Sequence, residues 1–242
     1  MFRSIIATCS RGTDNIDTAF AKKKRIKIIN STGANAISAA EHTIALILAI
    51  FKNLSFSEKL IKKGKFNSES FKRNEIFEKK IGIIGIGQVG NIVASYCSSL
   101  GMNVIANDID FRVKEKYPHL NFSPINYLLE NSDIITIHIP LNKKNFHFIG
   151  KKKLEKLSEN AVFINTSRGN VVDEAELIKL LKSGKIRFAG LDVFENEPYI
   201  NKELLKLSNV LLTNHIAGKT IESKVRISND IFKQICDNYK KQ

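Results

Sequence analysis

The chain has 242 residues, 43% of them apolar, enough for one large α/β domain or one domain with part of another. Its net charge of +14 comes mostly from lysines spread among Ile and Asn. With no zinc-finger spacing and no aromatic-interleaved basic stripe, general composition explains that charge better than a nucleic-acid partner.

A membrane is not expected either. The longest helical apolar run, Ile44 to Phe51, is far short of a span, and Met1 to Ser10 lacks a basic stretch leading into a long apolar one. Cys9, Cys97 and Cys236 are odd in number, far apart and without C-x-x-C spacing. They read as reduced structural thiols of a cytoplasmic protein, and no metal site is expected.

In chain order, Ser4 to Thr8 predicts a short strand, Ile16 to Lys23 a brief amphipathic helix and Ile26 to Asn30 a second strand. A loop with Gly33 follows. Ser38 then caps a helix running to Leu54, with Glu41 completing a capping box. That helix is apolar over most of its surface, so it belongs between layers or at a subunit contact. Lys59 to Lys79 reads as a polar connecting arm anchored by Phe66, Phe71 and Phe77.

From Ile81 strands and helices alternate. Strands are expected at 81–85, 103–107, 133–139, 161–165, 186–191 and 209–213. Helices are expected at 88–100, from Pro124 at the first helical position to Glu130, at 151–157, 174–182 and 219–239. Short apolar strands separated by helices imply a mostly parallel sheet covered on both faces, the doubly wound α/β class.

The segment K-K-I-G-I-I-G-I-G-Q-V-G-N, Lys79 to Asn91, places an apolar strand directly before Gly85, Gly87 and Gly90. The first glycine permits a sharp turn, the second lets backbone N–H groups approach a pyrophosphate, and the third lets helix and strand pack closely. Gln88 and Val89 open the helix, whose first turn offers unpaired donors and positive potential. Asp108 ends the next apolar run, 18 residues past Gly90, where it can accept hydrogen bonds from a ribose diol and repel a 2′-phosphate. The motif therefore predicts NAD rather than NADP.

Ligands of open parallel sheets bind beyond the carboxyl ends of the strands. The groups there are Asp108, His138 with Pro140, Thr166-Ser167-Arg168-Gly169, Asp192 with Glu197, and His215. Arg168 reads as an anion-binding fork or as a surface arginine. His215, taken alone, reads equally as a structural histidine or an acid/base whose tautomer a carboxylate such as Glu197 would hold.

With these residues in view, the chain resembles the D-isomer-specific 2-hydroxyacid dehydrogenases, and among them those acting on phosphoglycerate. The similar stretches are G-T-D-N-I-D (12–17), G-A-N-A-I-S-A-A-E-H-T-I-A-L (33–46), G-I-I-G-I-G-Q-V-G (82–90) and H-I-P-L (138–141). They continue with N-T-S-R-G-N-V-V-D-E-A-E-L (165–177), A-G-L-D-V-F-E-N-E-P (189–198) and N-V-L-L-T-N-H-I-A-G (209–218).

The resemblance implies a catalytic set of Arg168, Glu197 and His215. Arg168 grips the acid's carboxylate, His215 is the general acid/base, and Glu197 is its paired carboxylate. Cofactor contacts are implied for Gly85, Gly87, Gln88, Val89, Gly90, Asp108, His138, Pro140, Thr166, Ser167 and Asp192. Substrate contacts are implied for Arg11, Gly12, Asn35 and Arg168. Asn214 stands where the family usually has proline, and Lys219 where it has a small residue.

The same resemblance implies a Rossmann cofactor domain over 34–218 with a truncated flavodoxin-like substrate domain. Residues 1–33 form its remnant and 219–242 a helix returning to it, while its opening part would precede Met1. Implied partners are NAD, a 2-hydroxy or 2-oxo acid (3-phosphoglycerate first, glyoxylate or hydroxypyruvate next), and a second copy joined through the cofactor domain. A catalytically weak NAD-binding regulatory scaffold is the remaining alternative.

Overall fold

The computed structural model describes residues 4–9, 12, 16–66 and 73–239. The chain divides into two compact units, one of 1–39 with 218–242 and the other of 40–217. In the first, β1 (Ile5–Thr8) and β2 (Lys27–Asn30) pair in parallel, joined through α1 (Thr18–Lys23). Asp17 caps α1 by accepting the Phe20 N–H. The last helix, α10 (Ile221–Tyr239), belongs to this unit, where Gln234 donates to the Asn30 carbonyl and Arg226 to that of Ala34.

The second unit holds, among the described residues, seven parallel strands. They are β3 (Lys80–Ile84), β4 (Asn103–Asn107), β5 (Asn121–Phe122), β6 (Ile134–Ile137), β7 (Ala161–Asn165), β8 (Ile186–Leu191) and β9 (Val210–Leu212). Their order is β5-β4-β3-β6-β7-β8-β9. The order reverses between β3 and β6, where such sheets open a ligand crevice. Helices α4 (Gln88–Ser99), α6 (Ile125–Asn131), α7 (Lys151–Leu154) and α8 (Glu174–Lys182) connect the strands, with short α5 (Phe111–Lys116) and α9 (Lys202–Leu205).

Strand alternation divides the core in two. Ile81, Ile83, Ile134, Val162 and Ile164 pack with Val93, Ala94 and Cys97 of α4. Ile84, Ile135, Ile137 and Phe163 pack instead with Leu128 and Leu129 of α6 and Leu177 and Leu181 of α8. Successive strand residues point to opposite faces, so a sheet covered on both sides reads as continuous apolar runs. Burial pushes the Cys97 thiol up to about 12, so it stays protonated inside the core.

Four expectations need correction. The long apolar helix α2 runs Ala36–Lys52, so Ser38 lies inside it and forms no capping box; the Asn35 carbonyl already accepts the Ala39 N–H. The Ser38 hydroxyl instead meets that of Thr220 at 2.8 Å. Asn53 then adopts a left-handed conformation (φ 54°), ending α2 before Leu54, and starts a new helix, α3 (Leu54–Lys62), that runs into the stretch expected to be an arm. Phe66 and Phe77 are not buried anchors, being 86% and 60% exposed; Ile76 is the buried residue there, and Phe71 lies outside the described residues. Finally, Pro124 is the cap before α6 rather than its first residue.

Candidate active site

The strand register builds the site. Asn107, Ile84, Ile137, Asn165, Leu191 and Leu212 form one row across the sheet. The residues that follow, Asp108, Gly85, His138, Thr166, Asp192 and Thr213, therefore share one rim. Periodicity placed Asp108, His138, Thr166 and Asp192 there; the pairing adds Gly85 and Thr213.

At the switch point, Gly85 has φ 90° and its N–H donates to the Asn107 carbonyl. A Cβ on Gly90 would lie 1.9 Å from the Gly85 carbonyl oxygen, so α4 meets its strand only because no side chain intervenes. Gly87 borders open space and caps α4 without a side-chain hydrogen bond, leaving first-turn N–H groups available. Asp108 accepts the Ile86 N–H on Oδ2 (2.8 Å) and the Asp110 N–H on Oδ1 (2.9 Å), so the acid fixes the glycine turn it faces. Each oxygen keeps lone-pair capacity for a diol. An open glycine cradle, helix donors and a held carboxylate fit a dinucleotide.

Beyond β7, buried Asn165 shapes the turn that carries Arg168. Its amide donates to the Arg168 carbonyl, and its oxygen accepts both the N–H and the hydroxyl of Ser167. The Arg168 guanidinium donates to the Ser167 carbonyl at 2.7 Å. A Cβ on Gly169 would lie 1.9 Å from the Phe194 carbonyl oxygen, so this glycine lets the arginine turn press against the loop bearing Glu197. Thr166 meets the Thr43 hydroxyl of α2 at 2.9 Å.

Glu197 accepts the Phe194 N–H on Oε1, and its Oε2 lies 2.7 Å from His215 Nδ1. A carboxylate only accepts, so neutral His215 carries its proton on Nδ1 and its lone pair on Nε2. His215 has φ 55°, a left-handed conformation costing on the order of 1–3 kcal/mol for a non-glycine residue. What holds it there is Asp192. The Asp192 carbonyl accepts the His215 N–H, and its buried carboxylate accepts the N–H groups of Ile216 and Ala217 and the Thr213 hydroxyl. Desolvation works to raise the Asp192 pKa, but His42 Nε2 at 3.5 Å and hydrogen bonds from Thr213, Ile216 and Ala217 more than reverse it, leaving the carboxyl at about 2.

His138 is tied back to its own strand, Nε2 lying 3.0 Å from Thr136 Oγ1, and burial drives its pKa down to about 3. It is therefore neutral across the physiological range. Pro140 accepts the Asn145 amide through its carbonyl. Gly12 and Asn35 fall in the first unit, and Arg11 lies outside the described residues.

Sequence reasoning missed His42, Thr213 and Asn165. A histidine inside the apolar run of α2 was the available signal, since a polar group in such a setting needs a partner. It also missed a second pair, His147 Nε2 and Glu195 Oε1 at 2.6 Å, next to the arginine turn.

An all-parallel sheet with a glycine turn at its switch point and a carboxylate ending the next strand defines a dinucleotide-binding α/β protein. Residues 44–217 match the family model described as D-isomer specific 2-hydroxyacid dehydrogenase, NAD binding domain. The chain belongs to that family. A D-3-phosphoglycerate dehydrogenase of Archaeoglobus fulgidus is 39% identical over 234 residues, covering 96% of this chain and 44% of that one. The chain thus spans less than half the length of that relative. A glyoxylate reductase of Thermofilum pendens is 38% identical, covering 93% of this chain and 68% of that one. The crystal structure of D-lactate dehydrogenase from Aquifex aeolicus, complexed with NAD and lactic acid, superposes with a TM-score of 0.88 at 33% identity. It covers 98% of this chain and 76% of that one. Among the described residues no helix is long and apolar enough to cross a membrane.

Proposed function

We propose that this chain oxidises and reduces C2 of a D-2-hydroxy acid with NAD, and that 3-phosphoglycerate is its leading substrate. The observation carrying the reading is the 2.7 Å contact of His215 Nδ1 with Glu197 Oε2 at the sheet rim. With Nδ1–H committed to the carboxylate, Nε2 is the basic atom of the neutral ring. It takes the substrate hydroxyl proton in oxidation and returns it in reduction. Arg168 grips the carboxylate with its planar fork and stabilises charge developing on the reacting oxygen.

NAD, when bound, supplies the two-electron acceptor. Gly85, Gly87, Gln88, Val89 and Gly90 are assigned to its pyrophosphate and Asp108 to its adenosine ribose. The remaining contacts fall to His138, Pro140, Thr166, Ser167 and Asp192, the last near the nicotinamide. Arg11, Gly12 and Asn35 are assigned to substrate, the first two within residues 1–33, read as part of a flavodoxin-like substrate domain, and Asn35 at the start of the cofactor domain.

The Archaeoglobus relative supports the phosphoglycerate reading. The Thermofilum relative, more fully covered, favours reduction of glyoxylate. Comparing kcat/KM for 3-phosphoglycerate oxidation with that for glyoxylate and hydroxypyruvate reduction separates the two: a higher value for either 2-oxo acid overturns the phosphoglycerate assignment. The reading also includes a cytoplasmic homodimer joined through the cofactor domain. Exposed Leu54, Ile61, Phe66 and Phe77 supply apolar area for that contact. Light scattering giving only the monomer mass at micromolar concentration would count against it.

A further inference from the structure

The geometry points to His42, on α2, as a positioning residue for His215 that acts through Thr213 and Asp192; this rests on the reading of His215 as the acid/base. His42 Nε2 lies 3.0 Å from Thr213 Oγ1 and 3.5 Å from Asp192 Oδ1. The Thr213 hydroxyl donates its proton to Asp192 Oδ1 at 2.6 Å, so its oxygen is left to accept. His42 must therefore carry a proton on Nε2 and act as the donor that opens the relay.

The relay ends at the strained turn. Asp192 Oδ1 receives the Ile216 N–H and Oδ2 the Ala217 N–H, both at 2.9 Å, while the Asp192 carbonyl receives the His215 N–H at 2.8 Å. The acid thus grips the backbone of His215 and of both residues after it, and His215 is the left-handed one. Its carboxylate side chain is fully buried, so its orientation depends on donors the protein itself supplies. Two of those donors come from the turn being held. The Thr213 hydroxyl is the third, and His42 orients it from another element. Without His42, the Thr213 oxygen loses the donor that fixes its rotation, and the grip on Ile216 and Ala217 loosens. The ring that must meet substrate then loses its fixed placement, though no group touching substrate or cofactor has changed.

The test compares His42→Leu, which removes the donor, with His42→Gln, whose amide nitrogen stands in for Nε2, in the full chain. The first readout is hydrogen exchange at the Ile216 and Ala217 amides, which needs no activity. His42→Leu should speed it by about 2- to 10-fold, the value of one neutral hydrogen bond such as that from His42 to Thr213, and His42→Gln should restore most of the protection. Turnover should fall about 10- to 100-fold in His42→Leu and recover in His42→Gln, while the Kd for NAD moves by less than about 2-fold. Thr213→Val breaks the same relay without touching α2 and should reproduce the exchange result if His42→Leu does not fold. Unchanged exchange at Ile216 and Ala217 in a folded His42→Leu or Thr213→Val overturns the proposal. So does equal loss in His42→Leu and His42→Gln, which would assign His42 to packing. A wild-type protein inactive on every hydroxy acid would remove the dehydrogenase reading alone, because the exchange experiment still decides whether His42 holds the turn.

Discussion

His215 and Glu197 meet through Nδ1 and Oε2 at 2.7 Å, on two loops that leave neighbouring strands β8 and β9. That carboxylate accepts the Nδ1 proton and so leaves the ring's lone pair on Nε2. Glu197→Ala removes the acceptor that fixes this tautomer and should lower turnover by about 10²-fold, the low end for a positioned acid/base, with NAD affinity retained. Turnover and NAD titrations of the two proteins check this; unchanged turnover would separate Glu197 from the action of His215.

Two residues at the strand ends, His138 and Asp192, are among the groups that make stability fall with acid. His138 is held neutral to about pH 3, so below the ordinary histidine value of about 6.5 only the unfolded chain takes up that proton. Stability should decline with a one-proton slope as pH falls from about 6.5 toward 3. Asp192 has a depressed folded value of about 2 against about 3.9 unfolded. Its contribution, on the order of 2 kcal/mol, is complete above pH 4 and disappears as pH falls through about 2. Urea unfolding of wild type, His138→Asn and Asp192→Asn across pH 2–7 should assign the upper window to His138 and the lower to Asp192.

Asp108 both braces the Ile86 N–H and faces the cradle. Asp108→Ala should lose both backbone hydrogen bonds that the carboxylate accepts, from Ile86 and Asp110, each worth about 1–3 kcal/mol to the fold, and should also weaken cofactor choice. Calorimetry should show clear preference for NAD in the wild type and a preference reduced by at least about 10-fold in the variant, the size of one charge-assisted contact. Equal wild-type affinity for NAD and NADP would remove the charge argument.

The central strands were legible because burial on both faces leaves uninterrupted apolar runs, as in I-G-I-I and A-V-F-I-N. The rim groups followed from where those runs stop. Elements such as α5, β5 and α9 were missed because two to six largely solvent-facing residues carry no periodic signal. The start of α2 was misplaced because Ser38, an apparent cap, spends its hydroxyl on Thr220, 182 residues away, and local sequence cannot register that partner. His42 escaped notice for the same reason: its partners lie on β8 and β9 loops brought near by the sheet.

The most direct test of the central claim is NADH formation with 3-phosphoglycerate and a panel of D-2-hydroxy acids, run on wild type, His215→Ala and Arg168→Lys. Wild type should reduce NAD with at least one acid. Each variant should lose at least about 10²-fold in turnover while still binding NAD, since lysine cannot reproduce the bidentate fork and alanine cannot hold the proton. An NAD-binding wild type inactive on the whole panel, or activity that His215→Ala leaves unchanged, would contradict the account.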